Sequence, residues 1–248
     1  EKLFHEEYQY RARMTPSVLS GMESLVESVA DQLGALDGKR VLDVGCNDGS
    51  LLDYFASKGA ITVGVEPTKA ALESKHRTLN SFFDKKTSEA LSTEFGCFDV
   101  ITFTNVFAHI ENLDGLLDNL IPLLNDETVL VIENHYMGEI LKRNQFDTFY
   151  HEHPRTYSLR SFEFIARKLN RNVSHYEFLS RYGGNIRVTI DKNPSVTSLA
   201  SEDLFEDRFE EMQVAISNWC DETKSKIDSL NERVGPIVGK AFPGRAAI

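Results

Sequence analysis

Residues 40–52 read Arg-Val-Leu-Asp-Val-Gly-Cys-Asn-Asp-Gly-Ser-Leu-Leu, and this stretch decides the fold. The mostly apolar run 41–44 predicts a short buried strand. Gly45 and Gly49 bracket a tight turn after it, and a helical pattern begins at Ser50. A strand, a glycine turn and a helix in this order open a Rossmann-type unit, which binds its ligand at the turn.

The glycine spacing of this turn excludes two phosphate-binding loops. No Gly-Lys-Ser/Thr follows, as a P-loop requires, and Asn47 stands where Gly-x-Gly-x-x-Gly needs its second glycine. Glycines only at the two ends of the turn favour a ligand without a phosphate, such as S-adenosylmethionine (SAM). The amides of the helix N-terminus can hold its carboxylate, and Asp43 or Asp48 can balance its ammonium.

A second apolar run, residues 61–65, predicts a strand that ends at Glu66. Glu66 lies about 20 residues after Gly45, where a Rossmann unit places a carboxylate against ribose hydroxyls. A carboxylate accepts hydrogen bonds at both oxygens, so it can take both hydroxyl donors. The alternative is an exposed acid at a strand end, but its register with the glycine turn favours the cofactor role.

Further apolar runs alternate with helical patterns up to residue 150. The predicted strands are 80–83, 98–105 and 127–133, and the predicted helices are 67–75 and 113–124. This alternation predicts a doubly wound, parallel α/β sheet, which an antiparallel pair at 173–178 and 186–190 closes. Phe83, or its neighbour Phe82, can stack on a flat base. Asn105 stands at the carboxyl end of a strand, where ligands bind.

Composition limits the classes of function. The net charge of −11 argues against nucleic-acid binding, which needs a basic face. The three cysteines are widely spaced, so neither a disulfide framework nor a zinc ribbon is predicted. No signal peptide and no apolar run long enough to cross a bilayer is present, and we expect a cytoplasmic enzyme without membrane partners.

The densest chemical cluster is Tyr-His-Glu-His at residues 150–153. Two histidines and a glutamate suggest metal binding. On an extended strand, however, His151 and His153 would face one side and Glu152 the other, so the three ligands would not converge. The helical zinc spacing His-Glu-x-x-His is also absent, and we expect no metal. Acid–base chemistry is the favoured interpretation, with a structural role as the alternative.

Five stretches together resemble the SAM-dependent C-methyltransferases that act on nucleotide-linked 4-keto deoxysugars. They are Val-Gly-Cys-Asn-Asp-Gly at 44–49, Gly-Val-Glu-Pro at 64–67, Asn-Val-Phe-Ala-His-Ile at 105–110, Phe-Asp-Thr-Phe-Tyr-His-Glu-His at 146–153 and Gly-Gly-Asn-Ile-Arg-Val at 183–188. The resemblance implies a class I SAM-methyltransferase fold, SAM as cofactor, S-adenosylhomocysteine (SAH) as product and a nucleotide-linked sugar as substrate.

The resemblance also implies roles for single residues. His153 resembles the base that removes the proton beside the ketone, a task suited to an imidazole with a pKa near ~6.5. Tyr150 and Glu152 resemble the residues that orient the base and the sugar. His109 resembles the residue that meets the keto or enolate oxygen. The enolate carbon would then attack the SAM methyl group.

Three departures from the family pattern bear on domain organisation and substrate. No cysteine-rich zinc module precedes the motifs, and only the opening strand of a C-terminal Rossmann-like domain is expected, at 236–245. Tyr182 stands where the family often has histidine before the Gly-Gly pair, which leaves the sugar and the methylated atom open. We expect three parts: an N-terminal arm and helix (1–34), the methyltransferase domain (35–193), and a helical linker with the beginning of a C-terminal domain (194–248).

The two flanking parts carry their own expectations. Thr15 and Pro16 predict the start of a helix, which Gly34 ends. The aromatic arm before it either packs on the domain surface or forms a flap over the site; its rings are Phe4, Tyr8 and Tyr10. The acidic stretch 198–234 predicts one long or two shorter helices, either a solvated connector or a partner surface.

Other functions compete with sugar C-methylation. The same histidine could deprotonate a hydroxyl or an amine in an O- or N-methyltransferase. The chain could also be a SAM- or nucleotide-binding module without catalysis. An NAD-dependent oxidoreductase would explain Glu66 but not Asn47 in the turn.

Overall fold

The computed structural model describes residues 10–196 and 199–238, and one mixed sheet dominates it. The strands are β1 (Arg40–Val44), β2 (Ile61–Val65), β3 (Arg77–Leu79), β4 (Val100–Thr104), β5 (Val129–His135), β6 (Asn172–Leu179) and β7 (Asn185–Asp191). They lie in the order β3-β2-β1-β4-β5-β7-β6. The first five strands are parallel, and β7 pairs antiparallel with both β5 and β6. The predicted doubly wound sheet with an antiparallel closing pair is confirmed.

Helices cover both faces of this sheet. They are α1 (Pro16–Leu33), α2 (Ser50–Ser57), α3 (Lys85–Phe95), α4 (Leu113–Leu120), α5 (Met137–Arg143), α6 (Leu159–Lys168) and α7 (Phe205–Val234). On one face, α1 and α2 bury Leu25 and Phe55 against Val100. On the other, α3, α4 and α6 bury residues such as Phe162 against Ile101. Strands with two buried faces explain the continuous apolar runs in the sequence.

The ends of α1 follow the predicted signals in part. Pro16 occupies the first turn, and Gly34 follows the last residue with a left-handed φ of 77°. The side chain of Thr15 makes no capping hydrogen bond. The fixed φ of proline therefore marks the start of this helix without help from a side-chain cap.

The strand predicted at 80–83 is wrong, because β3 ends at Leu79. The Asn80 amide donates to the backbone carbonyls of Glu66 and Thr68, and Asp84 accepts from the Thr87 amide to cap α3. These polar residues turn the chain, whereas the apolar pair at 82–83 had suggested a strand. The helix predicted at 67–75 is a short 3-10 helix, Lys69–Glu73.

The strand predicted at 127–133 is displaced by two residues. β5 begins at Val129 because Asn125 and Thr128 close a turn before it. It extends to His135 because β7 provides hydrogen-bonding partners beyond Glu133, pairing Ile186 with Asn134. This extension carries β5 to the edge of the sheet where the functional site lies.

The acidic stretch near the C-terminus forms a short 3-10 helix, Ala200–Leu204, which is followed by one long helix, α7. Glu202, just before it, accepts from the backbone amides of Leu159 and Arg160 at the start of α6. Trp219 of α7 packs on Phe146, with ring centroids 5.6 Å apart. No helix of the described residues has the length and apolarity that a membrane span requires.

Several sequence predictions fall outside the described residues. Phe4 and Tyr8 of the arm lie there, as do residues 197–198 and 239–248. Of the strand predicted from residue 236, only residues 236–238 are described, and they form no strand.

A buried ionic cluster joins β5 to the closing pair. Glu133 is fully buried, and its Oε2 accepts from Nε and Nη2 of Arg187, at 3.1 and 3.0 Å. Its Oε1 accepts from Arg181 Nη2 and from Asn185 Nδ2, the latter at 3.2 Å. Two cations and an amide thus surround one carboxylate.

The same cations bind the first helix. Arg187 Nη2 donates to the carbonyl of Gly21 at 3.3 Å, and Arg181 Nη1 donates to that of Val18 at 3.1 Å. A side chain at position 21 would collide with the Arg181 guanidinium. Gly21 therefore lets α1 approach the cluster, and α1 is held at the end of the sheet that carries the site.

Glu133→Gln tests the cluster. Removing the negative charge leaves the Arg181 guanidinium without its acidic partner and Arg187 with only the partly exposed Glu177, so we expect the free energy of unfolding to fall by about 3–5 kcal/mol. Urea unfolding measures this change. The control is Glu94→Gln, which breaks the exposed pair with Arg77 and should leave the free energy of unfolding nearly unchanged. Equal effects of the two variants would contradict the prediction.

Candidate active site

A cavity of about 470 Å³ opens at the carboxyl ends of β1, β2, β4 and β5. Ten of the twelve residues predicted for the site line it: Asp43, Gly45, Asn47, Glu66, Phe83, Asn105, His109, Tyr150, Glu152 and His153. Asp48 and Gly49 do not. The volume lies in the range of cofactor and ligand sites.

The glycine turn has the tight backbone expected of it. Gly45, Asn47 and Gly49 all have left-handed φ values, of 79°, 50° and 80°. A Cβ on Gly45 would lie 2.5 Å from Val106 Cγ2, so a side chain there would close the space between the turn and the end of β4. Gly49 precedes α2, and a Cβ there would meet Ser74. Gly45 shapes the cavity, and Gly49 shapes the turn behind it.

Asp48 binds the N-terminal segment and does not line the cavity. Its Oδ2 accepts from Arg13 N and Nε at 3.1 and 2.9 Å, and its Oδ1 accepts from Ser50 Oγ at 2.5 Å. Burial alone would raise the pKa of Asp48, but the bonds from Ser50 and Arg13 outweigh it and lower the pKa. Of the two aspartates proposed for the ammonium, only Asp43 therefore faces the cavity.

The segment before α1 forms part of the cavity wall. Asn47 holds it at two points, because its Oδ1 accepts from Ala12 N at 3.0 Å and its Nδ2 donates to Tyr10 O at 3.1 Å. Arg11 and Arg13 both pair with Glu73. Tyr10 and Ala12 line the cavity. The described part of the arm thus packs over the glycine turn, and a flap function of the arm stays a prediction.

Glu66 is buried at the end of β2 with both oxygens ordered. Its Oε2 accepts from the backbone N–H of Asn47, and its Oε1 accepts from the backbone N–H of Thr68, each at 2.9 Å. Each carboxylate oxygen can accept a second hydrogen bond, so the group can still take two hydroxyl donors. Phe83 lies beside it, packed edge-on against Phe103. These features fit the ribose and base of a nucleoside.

Asp43 is a buried carboxyl at the end of β1. Thr102 Oγ1 donates to its Oδ1 at 2.7 Å. Burial, together with the nearby charge of Glu66, raises the pKa of Asp43 to about 7, although the bond from Thr102 opposes the shift. A positively charged ligand group at this position would favour the ionised form.

The 150–153 segment is a turn and not the extended strand assumed from the sequence. The 3-10 helix Phe146–Thr148 precedes it, and His153 N donates to Tyr150 O at 2.8 Å. This turn brings His153, Tyr150 and Glu152 to the cavity together. The side chain of His151 is 69% exposed and does not line the cavity.

Backbone carbonyls assign the hydrogens of two histidines. His153 Nδ1 lies 3.0 Å from Thr148 O, and His109 Nδ1 lies 2.6 Å from Glu152 O. A carbonyl only accepts, so each Nδ1 carries a hydrogen and each neutral ring has its lone pair on Nε2. Burial lowers the pKa of His109, with its carbonyl partner opposing the shift, which favours its neutral form.

Tyr150 connects His153 with Glu152. Its hydroxyl lies 3.4 Å from His153 Nε2 and donates to Glu152 Oε2 at 3.2 Å. When the hydroxyl donates to Glu152, its oxygen can accept from a protonated Nε2. The arrangement supports a histidine that alternates between a neutral and a protonated form.

Four rings form a continuous series along this wall, which we call the ring row: His109, His153, His135 and Tyr182. Successive ring centroids are 4.9, 5.5 and 5.8 Å apart. His135 and Tyr182 were not predicted as site residues. The strand-end rule that identified Asn105 could have found His135, whereas Tyr182 reaches the cavity from a turn between antiparallel strands. Among the described residues, no group of three or more His, Cys, Asp or Glu residues is placed to hold a metal ion.

Comparison with known proteins gives one family match and several relatives. A family model described as "Methyltransferase domain" matches residues 14–176. The C-methyltransferase NovU of Streptomyces niveus is 30% identical over 185 residues, which are 73% of this chain and 44% of that protein. A ubiquinone biosynthesis O-methyltransferase of Glaesserella parasuis serovar 5 (strain SH0165) is 32% identical over 116 residues, 42% of this chain and 48% of that protein. The chain thus spans about half the length of these curated relatives.

Solved structures share the fold. Magnesium protoporphyrin IX methyltransferase (ChlM) from Synechocystis PCC 6803 with bound SAH superposes with a TM-score of 0.51 at 18% identity, covering 69% of this chain and 84% of that one. The PH0226 protein from Pyrococcus horikoshii OT3 gives 0.55 at 17% identity, covering 74% and 95%. At these identities the likeness concerns the fold alone.

Asp43→Asn tests the protonation of the buried carboxyl. A raised pKa means that the folded state favours the neutral acid, so the stability from this group is complete at low pH and is lost as the pH rises toward 7. We expect the stability of the variant relative to the wild type to increase by about 2–3 kcal/mol between pH 5 and pH 8. Urea unfolding at each pH measures it. Asp118→Asn, on the exposed side of α4, is the control and should show no such trend.

Proposed function

The chain belongs to the methyltransferase domain family and its cofactor is SAM, and on that premise we propose that it methylates a carbon atom of a nucleotide-linked 4-keto sugar. One observation carries the proposal: His153 directs a hydrogen-bonded imidazole into the same cavity that Glu66 and the glycine turn line. The relative NovU is a C-methyltransferase, which supports the proposal.

The residues present fit SAM at one end of the cavity. Glu66 would hold the ribose hydroxyls, Phe83 would contact the base, and Asp43 would balance the ammonium. Gly45 and Asn47 would form the backbone cradle, and Asn105 would lie between this end and the ring row. When bound, SAM supplies an electrophilic methyl group.

His153 is the proposed base. Its Nε2 takes the proton beside the ketone, and the positive charge that results is stabilised through Nδ1–H by the carbonyl of Thr148. The hydroxyl oxygen of Tyr150 accepts a hydrogen bond from the new Nε2–H. The same hydroxyl group continues to donate its hydrogen bond to Glu152. The hydrogen bonds from His153 to Thr148 and from Tyr150 to Glu152 are kept when the proton is taken up.

The negative charge that develops on the substrate oxygen needs a hydrogen-bond donor. Neutral His109 has only its Nε2 lone pair on the side opposite Glu152 O, so it accepts there and donates only after protonation. Neutral His109 therefore accepts a hydrogen bond from a substrate hydroxyl, and donation to the developing oxyanion would need a proton taken up from solvent with the substrate, against the burial that lowers its pKa. Apolar side chains such as Val18, Met22 and Val106 line the cavity and limit the access of water.

Methyl transfer to oxygen is the second candidate. The O-methyltransferase relatives favour it, although they match less than half of the chain. In that reaction His153 would take the proton of a hydroxyl. Both candidates use the same base, and the bond to the transferred methyl distinguishes them.

The decisive experiment incubates the protein with SAM that carries a ¹³C-methyl group and a panel of nucleotide-linked 4-keto sugars and their 4-hydroxy counterparts. We expect a ¹³C-methyl resonance with the chemical shift of a methyl group on carbon, formed only from keto sugars. A chemical shift typical of a methoxy group would show methyl transfer to oxygen and would contradict the proposal. SAM binding without transfer to any sugar would refute both.

His153→Ala tests the base. We expect kcat for the methylated sugar to fall by about 10²–10⁴-fold, the usual contribution of a general base. The affinity for SAM, measured by calorimetry, should stay within about twofold. His151→Ala is the matched control, because this exposed neighbour does not line the cavity and should retain full activity. Full activity of His153→Ala would eliminate the assignment.

Glu66→Gln tests the cofactor end. An amide keeps the shape of the side chain but replaces one acceptor oxygen and removes the charge. Hydrogen bonds to charged groups are worth about 1.5–3 kcal/mol, so we expect the Kd for SAM to rise by about 10–100-fold. The surface variant Glu94→Gln controls for the change of charge. An unchanged Kd would show that Glu66 does not contact the ribose.

A further inference from the structure

Tyr182 is a bulky residue in the left-handed backbone region, with φ 53° and ψ 27°. This conformation is unfavourable for side chains other than glycine, asparagine and aspartate. In the described part of the chain, the other non-glycine residues with positive φ are all asparagines: Asn47, Asn105, Asn144 and Asn170. Position 182 departs from that pattern, which makes its side chain a candidate for a functional role.

The neighbours of Tyr182 hold its backbone from both sides. Arg181 is bound by buried Glu133 and by the carbonyl of Val18. Gly184 continues the turn with a φ of 132°, and a Cβ on it would lie 2.5 Å from Glu139 Cβ of α5. The turn therefore lies between the ionic cluster and α5. Contacts on both sides hold the backbone of residue 182 in the left-handed conformation.

The turn places the Tyr182 ring at the end of the ring row that is farthest from His109. The Tyr182 ring lines the cavity, and the residue is 46% exposed. The centroid of this ring lies 5.8 Å from the centroid of the His135 ring. The guanidinium carbon of Arg181 lies 5.8 Å from the same ring. An aromatic face is thus available two rings away from the His153 base and at the acceptor end of the site.

We propose that Tyr182 is a specificity-determining residue whose ring packs against the apolar C–H face of the acceptor sugar. The inference rests on the proposed acceptor class. A pyranose ring presents C–H groups with slight positive charge, which match the electron-rich face of an aromatic ring. A deoxygenated sugar offers a larger apolar face of this kind. The strained backbone keeps the ring at this position.

The test uses Tyr182→Asn, which removes the ring but tolerates the backbone, and Tyr182→Phe, which keeps the ring and loses the hydroxyl. Calorimetry on the SAH complex gives the Kd for a nucleotide-linked 4-keto sugar, and initial rates give KM and kcat. For Tyr182→Asn we expect the sugar Kd and KM to rise by about tenfold, the effect of losing one aromatic contact. The Kd for SAH should stay within about twofold. Tyr182→Phe should keep its sugar Kd within about threefold.

A stability measurement separates this role from packing. Because asparagine adopts the left-handed conformation more readily, Tyr182→Asn should raise Tm by roughly 2–4 °C. Asn170→Gly is the matched control: it also changes a residue with positive φ, at the end of α6, and should leave the sugar Kd unchanged. A lower Tm of Tyr182→Asn with an unchanged sugar Kd would make Tyr182 a packing residue and overturn the proposal.

The outcomes also separate this inference from the proposed function. If the wild type binds the sugar and methylates oxygen, carbon methylation is wrong, while the tenfold effect of Tyr182→Asn still supports the contact. If the wild type methylates carbon and Tyr182→Asn binds the sugar normally, the proposed function stands and the role of Tyr182 is wrong. If the SAH complex of the wild type binds no nucleotide-linked sugar, both are wrong.

Discussion

The buried carboxylate of Glu133 is the interaction on which the acceptor side of the site depends. It lies between two guanidinium groups from the closing pair of strands, and both guanidiniums also bind carbonyls of α1. An isolated charge at this depth would be strongly unfavourable, so Glu133 depends on the two guanidinium groups, and Arg187 gains a second acidic partner in Glu177. As a result, β5, β7 and α1 meet in one arrangement, and that arrangement defines the wall beside the strand ends.

The two ends of the cavity are constructed differently. The proposed cofactor end is formed by a glycine turn with left-handed backbone angles. Two carboxyl side chains at the ends of neighbouring parallel strands complete it. At the proposed acceptor end, the rings that line the cavity come from a strand terminus, a short 3-10 helix, a turn after Thr148 and the turn at Tyr182. Different parts of the chain therefore specify the two ends of the cavity, so the sequence at one end can change without altering the glycine turn at the other.

Local patterns were sufficient to predict the sheet, the glycine turn and Glu66, since each depends on residues close together in sequence. The strand-end position also identified Asn105, whereas His109 was predicted only from the family resemblance. Tertiary partners decided the rest. The partner of Asp48 is Arg13, 35 residues away, which turned a predicted ligand group into an anchor for the N-terminal segment. The strand expected at 80–83 does not form, because polar side chains turn the chain and cap α3. Tyr182 reaches the cavity because the antiparallel strand β7 returns the chain to β5.

The single tryptophan of the chain gives the contact between α7 and Phe146 a practical value. Indole emission responds to the polarity and packing of its surroundings, and Trp219 lies half-exposed against the short 3-10 helix whose last residue, Thr148, holds the His153 ring. The protein thus contains an intrinsic optical reporter next to its proposed base. Rearrangement of that segment during a catalytic cycle can be followed by stopped-flow fluorescence in unlabelled protein.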